Sequence, residues 1–377
     1  MQFAFTPEQS EFRAVLRRFL AEHSPTSAVR KLMETEAGWD REGWRALNAQ
    51  LGLTGVHIPE EYGGQGFSFV ELGIVLEEMG RALLCAPYFA TTVLAATAIL
   101  NAATEAEKGE LLPPIALGDT IATLAFTEPN GRWDLGGIGM TATPLGSGRF
   151  QLDGEKSFVL DGHTADLIVV AARRPGSEGE EGLSLFSVAG NAPGLTRRAL
   201  KVIDPTRKQA RLTFDGVEAR MLGEEGAAAG PLTLTLTQAA ACLANEMVGG
   251  AERLRESALD YANLRVQFGR PIASFQAMKH KQADMLLEVQ LAMSAAYAAA
   301  SAATEDDPEL TAIASLAKAG ASEAYVSTAK HTIQIHGGIG FTWDNDTQLW
   351  FRRAVSSGLF LGDPAWHREL MLRGWGV

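Results

Sequence analysis

Hydrophobic positions recur at two different periods along this chain, and the change of period divides it in three. Over residues 1–120 the spacing is helical. Phe12, Leu16, Phe19 and Leu20 fall on one face behind Thr6-Pro7-Glu8-Gln9, a capping box with proline at the first helical position. Asp40 is placed to cap a helix carrying Trp44, Leu47 and Leu51 and stopped by Gly52, and Ser68-Phe69-Val70-Glu71 opens another through Met79. Over residues 121–222 the apolar runs shorten. Residues 150–152, 157–160, 167–170 and 183–187 read as strands, with Asp153-Gly154 joining the first two as a tight hairpin turn. Turn signals at that spacing predict a small antiparallel sandwich or barrel. Residues 223–377 return to the helical period. Pro231–Asn263, Ala277–Ala303 and Pro308–Ile335 are long and rich in Ala, Leu and Glu, which predicts a helical bundle with an oligomer interface. The expected fold class is mostly α with a central β-domain.

Composition narrows the function. A chain of 377 residues with 46% hydrophobic and 21% charged residues is globular and long enough for two or three domains. The net charge of −12 argues against a nucleic-acid partner, whose phosphates require a basic face. Any anionic ligand must then be held by local groups. Cys85 and Cys242 give neither a disulfide framework nor a metal cluster, so no metal is expected. Apolar stretches such as Val93–Leu100 are too short to span a bilayer, and Met1-Gln2-Phe3 opens without a basic head or apolar signal core. A cytoplasmic protein with no membrane insertion is the expectation.

Familiar chemistries are missing: there is no phosphate loop, no HExxH and no paired CxxC. Gly137-Ile138-Gly139 lacks the strand–helix context of a dinucleotide fingerprint and reads as a loop. The seven histidines are scattered without spaced partners, which favours structural roles. Two segments stand out. Arg265-Val266-Gln267-Phe268-Gly269-Arg270-Pro271-Ile272, followed by Gln276, lies between two long helices; Gln334-Ile335-His336-Gly337-Gly338-Ile339-Gly340 ends another. Glycines after a helix permit positive φ and close backbone approach, and an arginine adds charge-assisted hydrogen bonds to a phosphate. Each segment alone reads equally well as a helix C-cap plus a surface salt bridge.

Taken together, and with Pro59-Glu60-Glu61-Tyr62-Gly63-Gly64, Thr127-Glu128-Pro129, Gly154-Glu155-Lys156 and Phe214-Asp215-Gly216-Val217, the chain resembles the acyl-CoA dehydrogenase family over nearly its whole length. The resemblance implies an N-terminal helical domain over 1–120, a central β-domain over 121–222 and a C-terminal four-helix bundle over 223–377. It implies FAD, an acyl-CoA substrate and an electron-accepting flavoprotein. It assigns Arg265, Phe268, Gln276, Gln334, Gly337 and Gly338 to the clamp on the ADP end of a neighbour's FAD, and Thr127 and Phe158 to the flavin-facing side.

The same resemblance exposes gaps. Where the family places a glutamate base, this chain has Leu361 in Phe360-Leu361-Gly362-Asp363. The alternative base position on the bundle helix falls on Ala239. Neither residue can accept a proton. The serine expected after Thr-Glu-Pro is Trp133, and the family's Trp-x-Thr reads Phe158-Val159-Leu160. Asp363 and Glu246 are the remaining candidate carboxylates, Glu246 with an interhelical contact as its competing role. The pattern is similar to that of the non-catalytic partner in bacterial heteromeric acyl-CoA dehydrogenases of sterol or dicarboxylate catabolism, which implies a catalytic partner subunit and a heterotetramer. The other readings are a self-sufficient homo-oligomer with a relocated carboxylate, and a flavin monooxygenase relative or binding-only scaffold on the same fold.

Overall fold

The computed structural model describes residues 5–376; the Met1-Gln2-Phe3 reading lies outside them. The helices are α1 Pro7–His23, α2 Thr26–Met33, α3 Arg41–Leu51, α4 Phe69–Ala82, α5 Thr97–Ala102, α6 Glu105–Ala116, α7 Ala229–Leu264, α8 Gln276–Thr304, α9 Leu310–His336, α10 Thr347–Leu359 and α11 Pro364–Gly374. The strands are β1 Ala122–Ala125, β2 Thr141–Gly146, β3 Arg149–Leu160, β4 Leu167–Arg173, β5 Leu183–Ala189, β6 Leu195–Ala199, β7 Gln209–Leu222, β8 Val266–Gln267 and β9 Arg270–Pro271. They form two compact units. One gathers the chain up to Arg30, Ser68–Leu84 and everything from Ala240 onward; the other gathers Lys31–Phe67 and Cys85–Ala239.

The helical unit starts where the sequence marks it. Thr6 accepts from the Gln9 amide and Gln9 returns the bond to the Thr6 amide, so α1 begins on a closed capping box. Ser68 and Glu71 do the same for α4. Packing in this unit is close because small residues let backbones meet. A Cβ on Gly80 would stand 1.9 Å from the Glu246 carbonyl oxygen, and one on Gly249 would stand 1.9 Å from that of Glu77. That approach buries Glu77 and Glu78 on α4, and burying carboxylates is costly unless they are paired. Arg13 reaches Glu77 at 2.5 Å, the Tyr297 hydroxyl donates to Glu77 at 2.8 Å, and Arg17 grips Glu78 with two bonds of 2.9 and 2.7 Å. One expectation needs amending. Among the described helices α8 is long and apolar enough to cross a membrane by length and composition, because alanine counts as apolar over so long a run; 39% of its apolar window is buried in this fold.

In the other unit β4, β2, β3, β7 and β5 pair in a closed ring, β5 returning to β4. Phe150, Leu152, Ile168, Phe186, Leu212 and Phe214 fill its interior. Two details correct the sequence reading. The sheet is mixed, since β1 and β2 run parallel to β4. Asp153-Gly154 is no hairpin turn; it lies within the single long strand β3, where Asp215 and Gly216 of β7 oppose Asp153 as a bulge and the Gly216 amide donates to Asp153 at 2.8 Å. A second bulge puts Ser157 and Phe158 opposite Arg211, with Phe158 at φ +60°. The unit also holds a π-helix, Phe89–Ala96, buried throughout, which runs directly into α5.

Candidate active site and cofactor clamp

The clamp residues gather at one end of the helical unit. α7 ends at Leu264, and the chain reverses through the β8–β9 hairpin into α8. The two residues at the tip, Phe268 and Gly269, have φ of +53° and +78°, the requirement of a two-residue turn that matches strand twist. Phe268 is therefore thrown outward and is 90% exposed. Arg265, Gln276, Gln334, Gly337 and Gly338 are exposed with it. Ala258, Ala262, Met285 and Ile335 form a small core that fastens the ends of α7, α8 and α9 together. Lys281 donates to Gln334 at 3.2 Å across α8 and α9, and His336 stacks on Tyr261 at 4.3 Å. Gly337 closes α9 at φ +65°, and a Cβ there would meet nothing within 4 Å. α8 begins at Gln276 without a side-chain cap, so the Gln276 and Ala277 amides stay open while Met278 donates to Phe275 O at 3.0 Å. An exposed guanidinium, side-chain amides, open helix amides and an exposed ring fit the ADP half of a dinucleotide.

The turn at the base position is built in the opposite way. Leu361 is 4% exposed and sits at φ +61°. Asp363 is exposed, but its Oδ1 accepts from the Trp366 amide at 2.8 Å as the N-cap of α11. Glu246 is buried in an ion pair with Arg353, Nη1 to Oε1 2.8 Å. Of its two sequence readings the structure displays the interhelical contact. Lys318, fully buried on α9, donates to Gly358 O at 2.8 Å and to Gly362 O.

In the β-unit the positions that the resemblance assigns to the flavin side lie along β3 and the segment before it. The Thr127 hydroxyl donates to Ser157 O at 2.6 Å, and the Ser157 amide donates back to Thr127 O at 2.9 Å. Phe158 is lifted by its bulge and is 42% exposed. Leu160 is 1% exposed, and its carbonyl accepts from Thr123 at 2.6 Å. Trp133 packs near Phe126, ring centres 6.0 Å apart. Sequence reasoning missed what joins the Thr-Glu-Pro and Gly-Glu-Lys motifs. Lys156, with no exposed surface, meets Glu128 at 2.8 Å, while the same carboxylate accepts from the Gly139 and Met140 amides at 3.0 and 2.9 Å. Burial lowers the Lys156 ammonium to about 8 although Glu128 opposes the shift. The loop that carries Trp133 is thus closed at its base by one buried ion pair. A lone lysine in an apolar alternation was the available signal.

The sequence matches the family models "Acyl-CoA dehydrogenase, N-terminal domain" over residues 6–119, the middle domain over 123–217 and the C-terminal domain over 232–375. Acyl-CoA dehydrogenase IpdE2 of Mycobacterium tuberculosis is 32% identical over 369 residues, 97% of this chain and 96% of that one. The solved butyryl-CoA dehydrogenase of Megasphaera elsdenii superposes with a TM-score of 0.93 at 28% identity over all of both chains. A variant of the Tcur3481-Tcur3483 steroid ACAD, also solved, gives 0.88 at 30% identity over 98% of each. Three consecutive domain matches in register with the observed architecture leave one conclusion: the chain belongs to the acyl-CoA dehydrogenase family of oxidoreductases, which carry out flavin-dependent dehydrogenation of acyl-CoA.

Proposed function

We propose that this chain is the subunit of a heteromeric, FAD-dependent acyl-CoA dehydrogenase that clamps a partner's FAD and supplies no base of its own. The observation that carries the reading is the buried leucine at position 361, with both rival carboxylates engaged elsewhere: Glu246 with Arg353 and Asp363 with the Trp366 amide of α11. Removal of an α-proton needs a carboxylate held within hydrogen-bond reach, and a leucine offers none. FAD, when bound, supplies the hydride acceptor. Arg265, Gln276 and the backbone at Gly337 and Gly338 bind and orient its ADP half, and the Phe268 ring packs on that half, while Leu160 and Leu361 present hydrocarbon where the family has polar groups. The catalytic partner is a family member that retains glutamate at the position of Leu361, and the electrons pass on to a flavoprotein acceptor. The likeness to a steroid ACAD supports a sterol- or lipid-derived acyl-CoA as substrate and a place in lipid or sterol catabolism. A cytoplasmic location belongs to the same proposal.

The test is flavin absorbance against subunit mass, with turnover assayed on the same sample. Alone, the chain is expected to hold little FAD and to oxidise no acyl-CoA. With its partner it should form a yellow heterotetramer, two copies of each chain, with one FAD per pair of unlike subunits. A homo-oligomer with one FAD per chain that turns over acyl-CoA would sink the reading and leave the self-sufficient enzyme. Flavin that acyl-CoA does not reduce even with the partner would leave the monooxygenase-like or binding-only alternative.

A further inference from the structure

Along α9 the buried face is mostly small: Ala317, Ala319, Ala321 and Ala324 are all enclosed. Lys318 lies among them with no exposed surface. A buried ammonium persists only where acceptors meet its hydrogens. Here two of its hydrogens meet backbone carbonyls, that of Gly358 in the last turn of α10, at 2.8 Å, and that of Gly362, just before α11. The first is one of the carbonyls a helix end leaves without an internal partner. Two carbonyls four residues apart are thereby drawn to one nitrogen, so the chain between them must arch.

The middle of the arch is held too. His367, 2% exposed on α11, has Nε2 3.0 Å from the Leu361 carbonyl and Nδ1 3.3 Å from Ser315 Oγ. A carbonyl only accepts, so Nε2 carries the proton and Nδ1 accepts from the serine. Burial first, then the Lys318 charge, lower His367 to about 3, so the ring stays neutral. Asp363 caps α11 and places a negative charge near Lys318, which opposes the lowering that burial imposes on the lysine. The carbonyls of residues 358, 361 and 362 are thus fastened from beneath, and Leu361 is kept at φ +61°. None of these bonds touches the side chain at 361.

We propose that Lys318, assisted by His367, is a positioning residue that fixes the conformation of position 361 whatever side chain stands there. In significance this rests on reading 361 as the base position: the holder of the base is retained although its cargo is now a leucine. The geometry stands apart from that reading, and so does the test.

The experiment uses Leu361→Cys as a reporter in the full chain, where Cys85 and Cys242 are both buried. Its rate of alkylation by a small maleimide is measured with and without Lys318→Met, alongside hydrogen exchange of α8 and α9. The expected result is a protected thiol in the parent and at least a tenfold faster reaction in the double variant, with exchange in α8 and α9 unchanged. Unchanged reactivity in a folded double variant would overturn the proposal. So would a rise matched by faster exchange throughout α8 and α9, since Lys318 would then only stabilise the bundle. If Lys318→Met does not fold, Lys318→Arg and Lys318→Gln replace it. Arginine keeps charge and donors and should protect the thiol most; glutamine keeps donors alone and should protect it less. Equal protection in parent, arginine and glutamine forms would again overturn the assignment. Flavin content and turnover enter none of these readings, so the subunit proposal fails or stands independently.

Discussion

Phe268 and Leu361 share a backbone conformation and little else. Both are apolar residues held at positive φ, +53° and +61°, where a β-carbon is disfavoured by about 1–2 kcal/mol. Leu361 is enclosed, and the carbonyls around it are taken up by Lys318 and His367. Phe268 is 90% exposed at a hairpin tip. The turn at 361 offsets its strain with buried hydrogen bonds inside the same unit; the tip at 268 has an edge-on contact with the Phe275 ring, centres 6.1 Å apart, to set against its own. Strain that a structure does not itself repay is the usual mark of a site completed from outside. The two ends therefore point in opposite directions, one inward to a closed turn and the other outward to solvent, where the proposed clamp would meet its ligand.

The buried side should show the larger losses. Arg353→Met removes the buried ion pair with Glu246, and urea unfolding should show a loss of about 3–5 kcal/mol. A loss below 1 kcal/mol would mean that the pair is dispensable. Next comes acid sensitivity. His367 titrates near 3 when folded and near 6.5 when unfolded, so the unfolded chain takes up the proton first. Stability from this neutral ring is whole above pH 6.5 and drains as pH falls toward 3, at about 1.4 kcal/mol per pH unit. His367→Gln keeps a donor for the Leu361 carbonyl but cannot titrate, so its urea midpoint should change less between pH 6.5 and 4 than that of the parent.

The exposed side should answer in function instead. In the complex with the partner, Arg265→Ala removes a charge-assisted contact worth about 1.5–3 kcal/mol. FAD retention after dialysis should fall by about one to two orders of magnitude, with the unfolding midpoint unmoved. Unchanged flavin content would remove Arg265 from the clamp. The smallest effect sharpens the comparison most. Phe268→Gly relieves the disfavoured φ and should stabilise the isolated chain by about 1 kcal/mol or less, since glycine also gains freedom when unfolded. Flavin retention in the complex should drop. If the variant lost stability, the tip would be held by contacts within the chain and the contrast with Leu361 would dissolve.

Helix starts were legible because a cap is written in consecutive residues: the Thr6, Asp40 and Ser68 caps all form as the sequence predicts. The long helices were legible too, and α8 extends one residue beyond each end of the expected Ala277–Ala303. Asp153-Gly154 was misread because a turn and a bulge both favour such a pair, and the arbiter is β7, far along the chain. The same limit hid the Glu246–Arg353 and Glu128–Lys156 pairs, whose meaning exists only once distant elements pack. Lys318 was hidden differently, since a lysine among alanines also suits a helix edge where the long stem reaches water. The segment 89–96 carries no charged residue to mark a face, and its threonines at 91 and 92 are adjacent rather than helically spaced.

That last segment carries a consequence for sequence length. In Phe89–Ala96 the hydrogen bonds close around five residues rather than four, so the chain stores surplus residues there without lengthening the helix in proportion. Such a segment behaves as an insertion absorbed in place. Each residue taken up this way turns everything downstream by about 100° about the helix axis relative to an uninterrupted α-helix. Thr97 on α5, whose hydroxyl meets the His57 ring at 3.1 Å, owes its facing to that phase. Deleting a single residue between Ala90 and Ala95 should let the stretch close as ordinary α-helix while the side chains of α5 keep their present facing. A one-residue deletion, which would turn α5 if made in an ordinary helical stretch, is therefore the change this segment is best built to absorb.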